Sequence, residues 1–284
     1  MGTSVLTHEL CYNQADWDYR RAEGVNQSSL KKILESPAHY QAALNFRMSP
    51  SPAMEIGTAL HTLVLDGQKA FDGSYIKKPD SVKLNTKEGK EWKESIGRKK
   101  ILTTGGMYDP WNAVQGMAES LRRLDWYSGT DAEYIKRNEV SVYWDHMGVR
   151  CKARLDSVLV DEGIVLDLKT TDSADCDLFT KKVIGLGYDF QAAAYTVAAE
   201  QAFGKPFRFM FAAVERKAPY TVAIYEADEG MQLEGRRKFD EAIRIYKECK
   251  ASGEWPQKEV KIGSLSYPSW YKPIETPEPI EDVF

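Results

Sequence analysis

The spacing of apolar and polar positions changes character along the 284-residue chain. In the first part it is helical. Asn26-Gln27-Ser28-Ser29 offers a hydroxyl to cap a helix over residues 30–35, which Pro37 interrupts. Ile56, Leu60, Leu63 and Val64 recur at helical intervals and predict an amphipathic helix over 53–65 that stops at Asp66-Gly67. A third helix is expected over 109–124. From Glu139 onward the period shortens to two, predicting strands over 139–144, 149–160 and 164–169. His146-Met147-Gly148 and Asp161-Glu162-Gly163 supply the intervening turns. A helix over 188–203 follows, ending at Gly204 with Pro206 beyond. Strands near 208–214 and 220–225 and a long helix over 229–252 complete the pattern. Strands in the middle, with helices before, between and after them, predict one α/β (α+β) domain over 1–252 with an N-terminal helical region. A tail rich in proline and aromatics occupies 253–284.

Composition changes this picture little. With 43% hydrophobic and 28% charged residues the chain reads as an ordinary globular protein, and no apolar run approaches the ~20 residues that span a bilayer. The opening MGTSVLTHELCYNQ lacks the basic and apolar regions of a signal peptide, which predicts a cytoplasmic protein. Cys11, Cys151, Cys176 and Cys249 form no CxxC pair, arguing against both a disulfide framework and a zinc site. Charge is more informative once resolved along the chain. The net value is −4, yet residues 77–100 hold nine basic side chains against four acids, a local +5 against −9 elsewhere. Within that segment Lys87, Lys90 and Lys93 are candidates for phosphate contacts; a solvated helix face with Glu/Lys pairs explains the same residues.

The candidate chemistry lies on the second hairpin. In Asp167-Leu168-Lys169 the two polar side chains share one face of a strand while Leu166 and Leu168 face the core. If Asp156 pairs with residue 167 or 169, all three polar groups meet on one face; a slip of one residue would separate them. Two carboxylates held so close repel, and a hard divalent cation resolves the conflict. Lys169 beside them can orient a water and offset charge on a phosphoryl transition state. A salt-bridged surface hairpin would give the same local pattern. On flanking helices, Gly57 and His61 share a face, where the glycine allows close approach and the imidazole offers a further ligand. Gln191 and Tyr195 repeat the four-residue spacing across alanines that suit flat packing on a sheet. Glu139, on the neighbouring strand, is a further candidate carboxylate.

In this order, Gly57-x-x-x-His61, Asp156, Asp167-Leu-Lys169 and Gln191-x-x-x-Tyr195 resemble the RecB-like branch of the PD-(D/E)xK nucleases. Gln27-Ser-Ser-Leu-Lys-Lys-Ile-Leu-Glu-Ser-Pro-Ala-His-Tyr40 and Cys151-Lys-Ala-Arg-Leu-Asp156 are similar to the catalytic domain of RecE (exonuclease VIII) and its phage homologues. The resemblance implies a restriction-endonuclease-like core, a central mixed sheet flanked by helices. It further implies Mg2+, with Mn2+ as a substitute, and 5′-to-3′ degradation of linear duplex DNA from its ends. Metal ligands would be His61, Asp156 and Asp167, with Leu168 counted among them. Lys169 would position water, Gln191 and Tyr195 would complete the catalytic set, and Ser28 would contact DNA. Partners implied are a single-strand annealing protein of the RecT type and further copies of the chain in a ring, trimeric or tetrameric. The tight C-terminal cysteine group of iron–sulphur relatives is absent, so no such cluster is expected. Leu155 stands where the superfamily name has proline. A restriction-type or structure-specific endonuclease would share the same hairpin, and a silent DNA-binding scaffold would show loss of a ligand. Residues 274–284, with prolines and acids, are expected to be extended, either as a free end or as a segment that docks through Val283 and Phe284 on a neighbouring subunit or on a replication or annealing protein.

Overall fold

The computed structural model describes residues 8–46, 49–102, 109–124 and 136–259, together with 262, 264–268 and 270–271. The N-terminal region opens with β1 (Glu9–Cys11), α1 (Asp16–Arg21) and the short β2 (Val25–Asn26). Next come α2 (Gln27–Leu30), running into a 3-10 turn over Lys31–Leu34, and α3 (Pro37–Asn45). The expected cap is a carboxamide, not a hydroxyl: the Asn26 side chain accepts the Ser29 N–H at 2.9 Å. Pro37 does more than interrupt. It stands in the first turn of α3, where its missing N–H costs nothing, and Ser36 caps that helix.

α4 (Pro52–His61) continues through a π turn over Thr62–Asp66 and ends at Gly67. α5 (Gln68–Ser74), β3 (Tyr75–Ile76), α6 (Lys87–Ser95) and β4 (Lys100–Ile101) lead to α7 (Pro110–Arg122). The central strands are β5 (Lys136–His146), β6 (Val149–Leu159) and β7 (Ile164–Thr171). Met147 and Gly148, both with positive φ (50° and 79°), make the tight turn between the first two. α8 (Cys176–Leu186) and α9 (Tyr188–Phe203) then cross over to β8 (Arg208–Glu215), followed by β9 (Val222–Glu226) and α10 (Glu229–Ser252).

Among the described residues the main sheet runs β1-β5-β6-β7-β8-β9, with β2 added beside β6. It is mixed: β7–β8 and β2–β6 are parallel and the other pairs antiparallel. One face carries α9 and α10, whose Phe190, Val197, Phe239 and Ile243 pack on Val140, Val142, Val165 and Phe209. The other carries α4, α5 and α7, with Leu60, Phe71 and Met117 against Leu166, Leu168 and Val214. β7 and β8 are therefore apolar on both faces, as strands covered by two helical layers must be.

Two irregularities prepare the site. First, the sheet forks along β6. Cys151 and Lys152 pair with β2, whereas Ser157, Val158 and Leu159 pair with β7, leaving 153–156 free on that edge. Second, the alternation of faces slips by one step. Cys151, Ala153 and Leu155 belong to one core, and so does Val158, three residues on. The slip falls opposite Glu139, whose φ is +51°. A left-handed residue with a Cβ is costly, on the order of 1–3 kcal/mol, and such strain gathers at functional positions.

Candidate active site

The β6–β7 ladder pairs Ser157 with Leu166, and one further step sets Asp156 against Asp167. This is one of the two registers expected from the sequence. The ladder stops there, because the Asp156 carboxylate replaces a backbone acceptor: its Oδ2 takes the Leu168 N–H at 2.8 Å. Asp156 thereby holds the mouth of the fork. α4 closes on it from the second helical layer, with Gly57 facing Thr170; a Cβ on Gly57 would lie 3.4 Å from the Thr170 hydroxyl. One turn on, His61 places Nε2 at 2.9 Å from the Leu168 carbonyl and Nδ1 at 3.6 Å from Asp156 Oδ2. A carbonyl only accepts, so Nε2 carries the proton in this arrangement and Nδ1 is turned toward the carboxylate.

Glu139 completes the group. It stands across the β5–β6 ladder from Asp156, and its left-handed backbone marks the point where the faces slip. Ligand atoms of His61, Glu139 and Asp156 all lie within 4.8 Å of one another. Burial first, then the Asp156 carboxylate, push Glu139 up to about 8 against the opposing pull of Arg154. Two carboxylates and an imidazole that converge, with repulsion that Arg154 only partly offsets, fit a hard divalent cation, whose charge would settle the conflict.

Behind this group lies a second, buried pair. Asp167 is fully buried; its Oδ1 accepts from Gln191 Nε2 at 2.8 Å, and its Oδ2 is ion-paired with Lys169 Nζ. Burial raises Asp167 to about 6, against the pull of Lys169. For Lys169, burial acts to lower the ammonium, but Asp167 and Asp156 outweigh it and hold it above its ordinary value. The ammonium also sits 4.8 Å from the centre of the Tyr188 ring. Tyr195, one turn after Gln191, is buried, and that burial drives its hydroxyl far above the usual range. Asp156, Leu168, Lys169, Tyr188, His61 and Glu139 line a cleft of about 720 Å³, and Asp167 lies buried behind it.

The family described as "PDDEXK-like domain of unknown function (DUF3799)" matches residues 26–265. The chain belongs to this family. A candidate exonuclease from Eubacterium rectale has a similar structure, with TM-score 0.60 at 16% identity over 90% of this chain and 97% of that one. A phage-related exonuclease from Haemophilus somnus matches more weakly, with TM-score 0.36 at 12% identity over 84% and 100%. No curated protein gives a significant match. The fold is accordingly the restriction-endonuclease-like α/β core of the PDDEXK class, as the motif order implies.

Within this PDDEXK-like domain the sequence-predicted residues divide into groups. His61, Asp156, Asp167, Lys169 and Gln191 are brought together as described. The Leu168 side chain is buried in the second core, so the residue offers only its carbonyl, which His61 already contacts. Asp167 stands outside the three-ligand group, since Gln191 and Lys169 engage its oxygens. Tyr195 and Ser28 line an adjoining cleft of about 400 Å³, where the Ser28 hydroxyl donates to Asn26 at 2.8 Å. Lys87, Lys90 and Lys93 are exposed on α6 and line no part of the main cleft. Residues 274–284, including Val283 and Phe284, lie outside the described residues. The start of the tail is docked: Trp255 stacks on Tyr40 at 5.3 Å, and the Ala38 N–H donates to the Pro256 carbonyl at 3.1 Å. No helix among the described residues is long and apolar enough to cross a membrane.

Sequence reasoning missed Arg154 and Tyr188. Arg154 bonds Asp16 at 3.1 Å and lies 3.6 Å from Glu139, tying α1 to the site. It precedes Asp156 by two on one strand, and Tyr188 precedes Gln191 by three on one helix, so the same spacing rules would have found both. Lys182 and Arg216 also line the cleft, and they carry no local signal.

Proposed function

We propose that this protein is a metal-dependent nuclease that degrades linear duplex DNA from an end. One observation carries the reading: His61, Glu139 and Asp156 converge within 4.8 Å in the cleft that Lys169 also lines, with Asp167 buried against that lysine. Membership of the PDDEXK-like family and the fold shared with a candidate exonuclease support it. His61, Glu139 and Asp156 would hold Mg2+, with Mn2+ as a substitute, and Asp167 is expected to join them once Lys169 releases its Oδ2. A divalent cation so held supplies Lewis-acid stabilisation of charge on a phosphate oxygen. Lys169, kept cationic by the carboxylates beside it, orients the attacking water and donates to the developing charge. Gln191 fixes the rotamer of Asp167, and the Tyr188 ring faces the Lys169 ammonium.

The motif resemblance carries the finer terms of the proposal: 5′-to-3′ polarity, 3′ single-stranded products used by a RecT-type annealing protein, and a trimeric or tetrameric ring that keeps a net acidic chain on its product. The test is digestion of linear duplex labelled at either the 5′ or the 3′ end, beside covalently closed duplex, with Mg2+ and with EDTA. Early release of the 5′ label, intact circles and no reaction in EDTA are expected. Cutting of closed circles would replace the exonuclease reading with an endonuclease. Binding without cleavage under any divalent cation would leave a scaffold. Asp156→Ala, Asp167→Ala and Lys169→Ala should each abolish cleavage in folded protein, and wild-type rates in any of them overturn the site assignment.

A further inference from the structure

The cleft is lined by both signs of charge. Glu139, Asp156 and Asp66 line it with Arg154 beside Glu139, and β7, α8 and the residue after β8 add the cations Lys169, Lys182 and Arg216. Lys169 is matched by Asp167, but the other two cations share a single partner. Arg216 is ion-paired with Asp172, a side chain 76% exposed, and among the described residues the Lys182 ammonium donates to the Thr170 carbonyl at 2.9 Å and draws on the same Asp172 charge. The two arrive from different elements. Lys182 comes from the middle of α8, whereas Arg216 follows β8 and is pinned by its N–H to the Thr171 carbonyl at 2.9 Å. Its side chain is 17% exposed, so the guanidinium is held in the wall and does not swing in solvent.

Gathering cations in a partly buried wall is unfavourable unless an anion shares the space. The repulsion is visible in Lys182, whose ammonium is held below its ordinary value by burial and then by Arg216, with Lys169 adding to it. Asp172 is too exposed to neutralise the pair fully, since water screens it. The arrangement suits an anion with several oxygen acceptors, to which an arginine fork and a lysine can both donate.

Position narrows the ligand. The Lys182 ammonium and the Arg216 backbone N–H are anchored to the carbonyls of Thr170 and Thr171, two and three residues beyond Leu168, whose N–H and carbonyl meet Asp156 and His61. At roughly 3.3 Å per residue this sets the two anchors about 7–10 Å along the strand from the proposed metal ligands. An offset of that size places a bound anion beside the metal group and not on it. We infer that Lys182 and Arg216 form a phosphodiester-binding subsite that holds the cleaved strand at a phosphate neighbouring the scissile one. The subsite positions the strand across the cleft, with its reacting phosphate at the carboxylates and a neighbouring phosphate at Lys182 and Arg216. This rests on the nuclease reading above.

The experiment measures binding of a fluorescent DNA duplex by anisotropy over a salt series, with Ca2+ in place of Mg2+ to hold the strand uncut. Lys182→Gln keeps a donor for the Thr170 carbonyl and removes the charge; Arg216→Gln removes the second charge and leaves the backbone bond to the Thr171 carbonyl in place. Each loss should lower the slope of log affinity against log salt by about 0.9, and the double variant by about 1.8. Calorimetric Mn2+ affinity and thermal unfolding should stay at wild-type values. The charge-keeping variants Lys182→Arg and Arg216→Lys should retain the wild-type slope, which a merely structural role would not predict. An unchanged slope in the double variant, or equal losses in the charge-keeping pair, overturns the subsite while leaving wild-type cleavage to stand. A wild-type protein that neither binds nor cuts the duplex overturns the nuclease reading and the subsite together.

Discussion

Replacing Glu139 by glutamine should stabilise the metal-free protein and at the same time weaken its hold on a divalent cation. The Glu139 side chain is 23% exposed, and burial with the Asp156 charge raises its carboxyl from an ordinary 4.5 to about 8. Between those values the folded protein keeps a proton that the unfolded chain has lost, so stability falls as pH rises through that range. The cost is absent below about pH 4.5 and levels off above about pH 8. At ~1.36 kcal/mol per pH unit the full gap has a ceiling of about 5 kcal/mol, and about 3 kcal/mol of it is present at pH 7. Water reaching the partly open cleft reduces this, and a gain on the order of 1–3 kcal/mol is expected for Glu139→Gln at pH 8. For a chain of this size that is a rise of roughly 2–10 °C in Tm. Urea unfolding in EDTA at pH 5, 7 and 8.5 measures it, and Mn2+ calorimetry on the same samples measures the loss of a ligand. A gain of equal size at pH 5 and pH 8.5, a loss of stability at pH 8.5, or undiminished Mn2+ affinity would refute the placement of Glu139 against Asp156.

Gly235→Ala should destabilise the protein by about 1–3 kcal/mol or more, because its Cβ would lie 2.3 Å from the Asp189 carbonyl oxygen where α10 meets α9; urea unfolding with a wild-type midpoint would contradict that packing. Gln191→Ala removes the donor to the buried Asp167 Oδ1 and should cost about 1–3 kcal/mol, with reduced cleavage. An unperturbed melting curve would show that Asp167 finds another partner. Substituting Lys87, Lys90 and Lys93 together by alanine should weaken DNA binding and flatten its salt dependence without altering Mn2+ affinity, since α6 stands apart from the cleft. An unchanged salt slope would reduce the segment to a solvated helix face.

Much of this was legible in the sequence, wherever the determining physics is local. The limits of α9 and α10 follow from Gly204, Gly253 and the Asp228 cap, residues that end or begin a helix through their own backbone preferences. The Asp167–Lys169 face follows from the two-residue period of a strand. The odd register against Asp156 was bounded by the same alternation and the length of the turn. What the sequence could not decide is whatever depends on elements distant in the chain. The fork of β6 arises because β2, more than 120 residues earlier, competes with β7 for the same edge. Glu139 joins the candidate metal group where the faces of β6 slip, opposite its own left-handed backbone, a conformation no propensity predicts for glutamate. Lys182 and Arg216 reach one wall only through the crossover that makes β7 and β8 parallel. Spacing along a strand or helix fixes which side chains can act together. Where that face meets another, and with what charge opposite, is settled only when the layers pack.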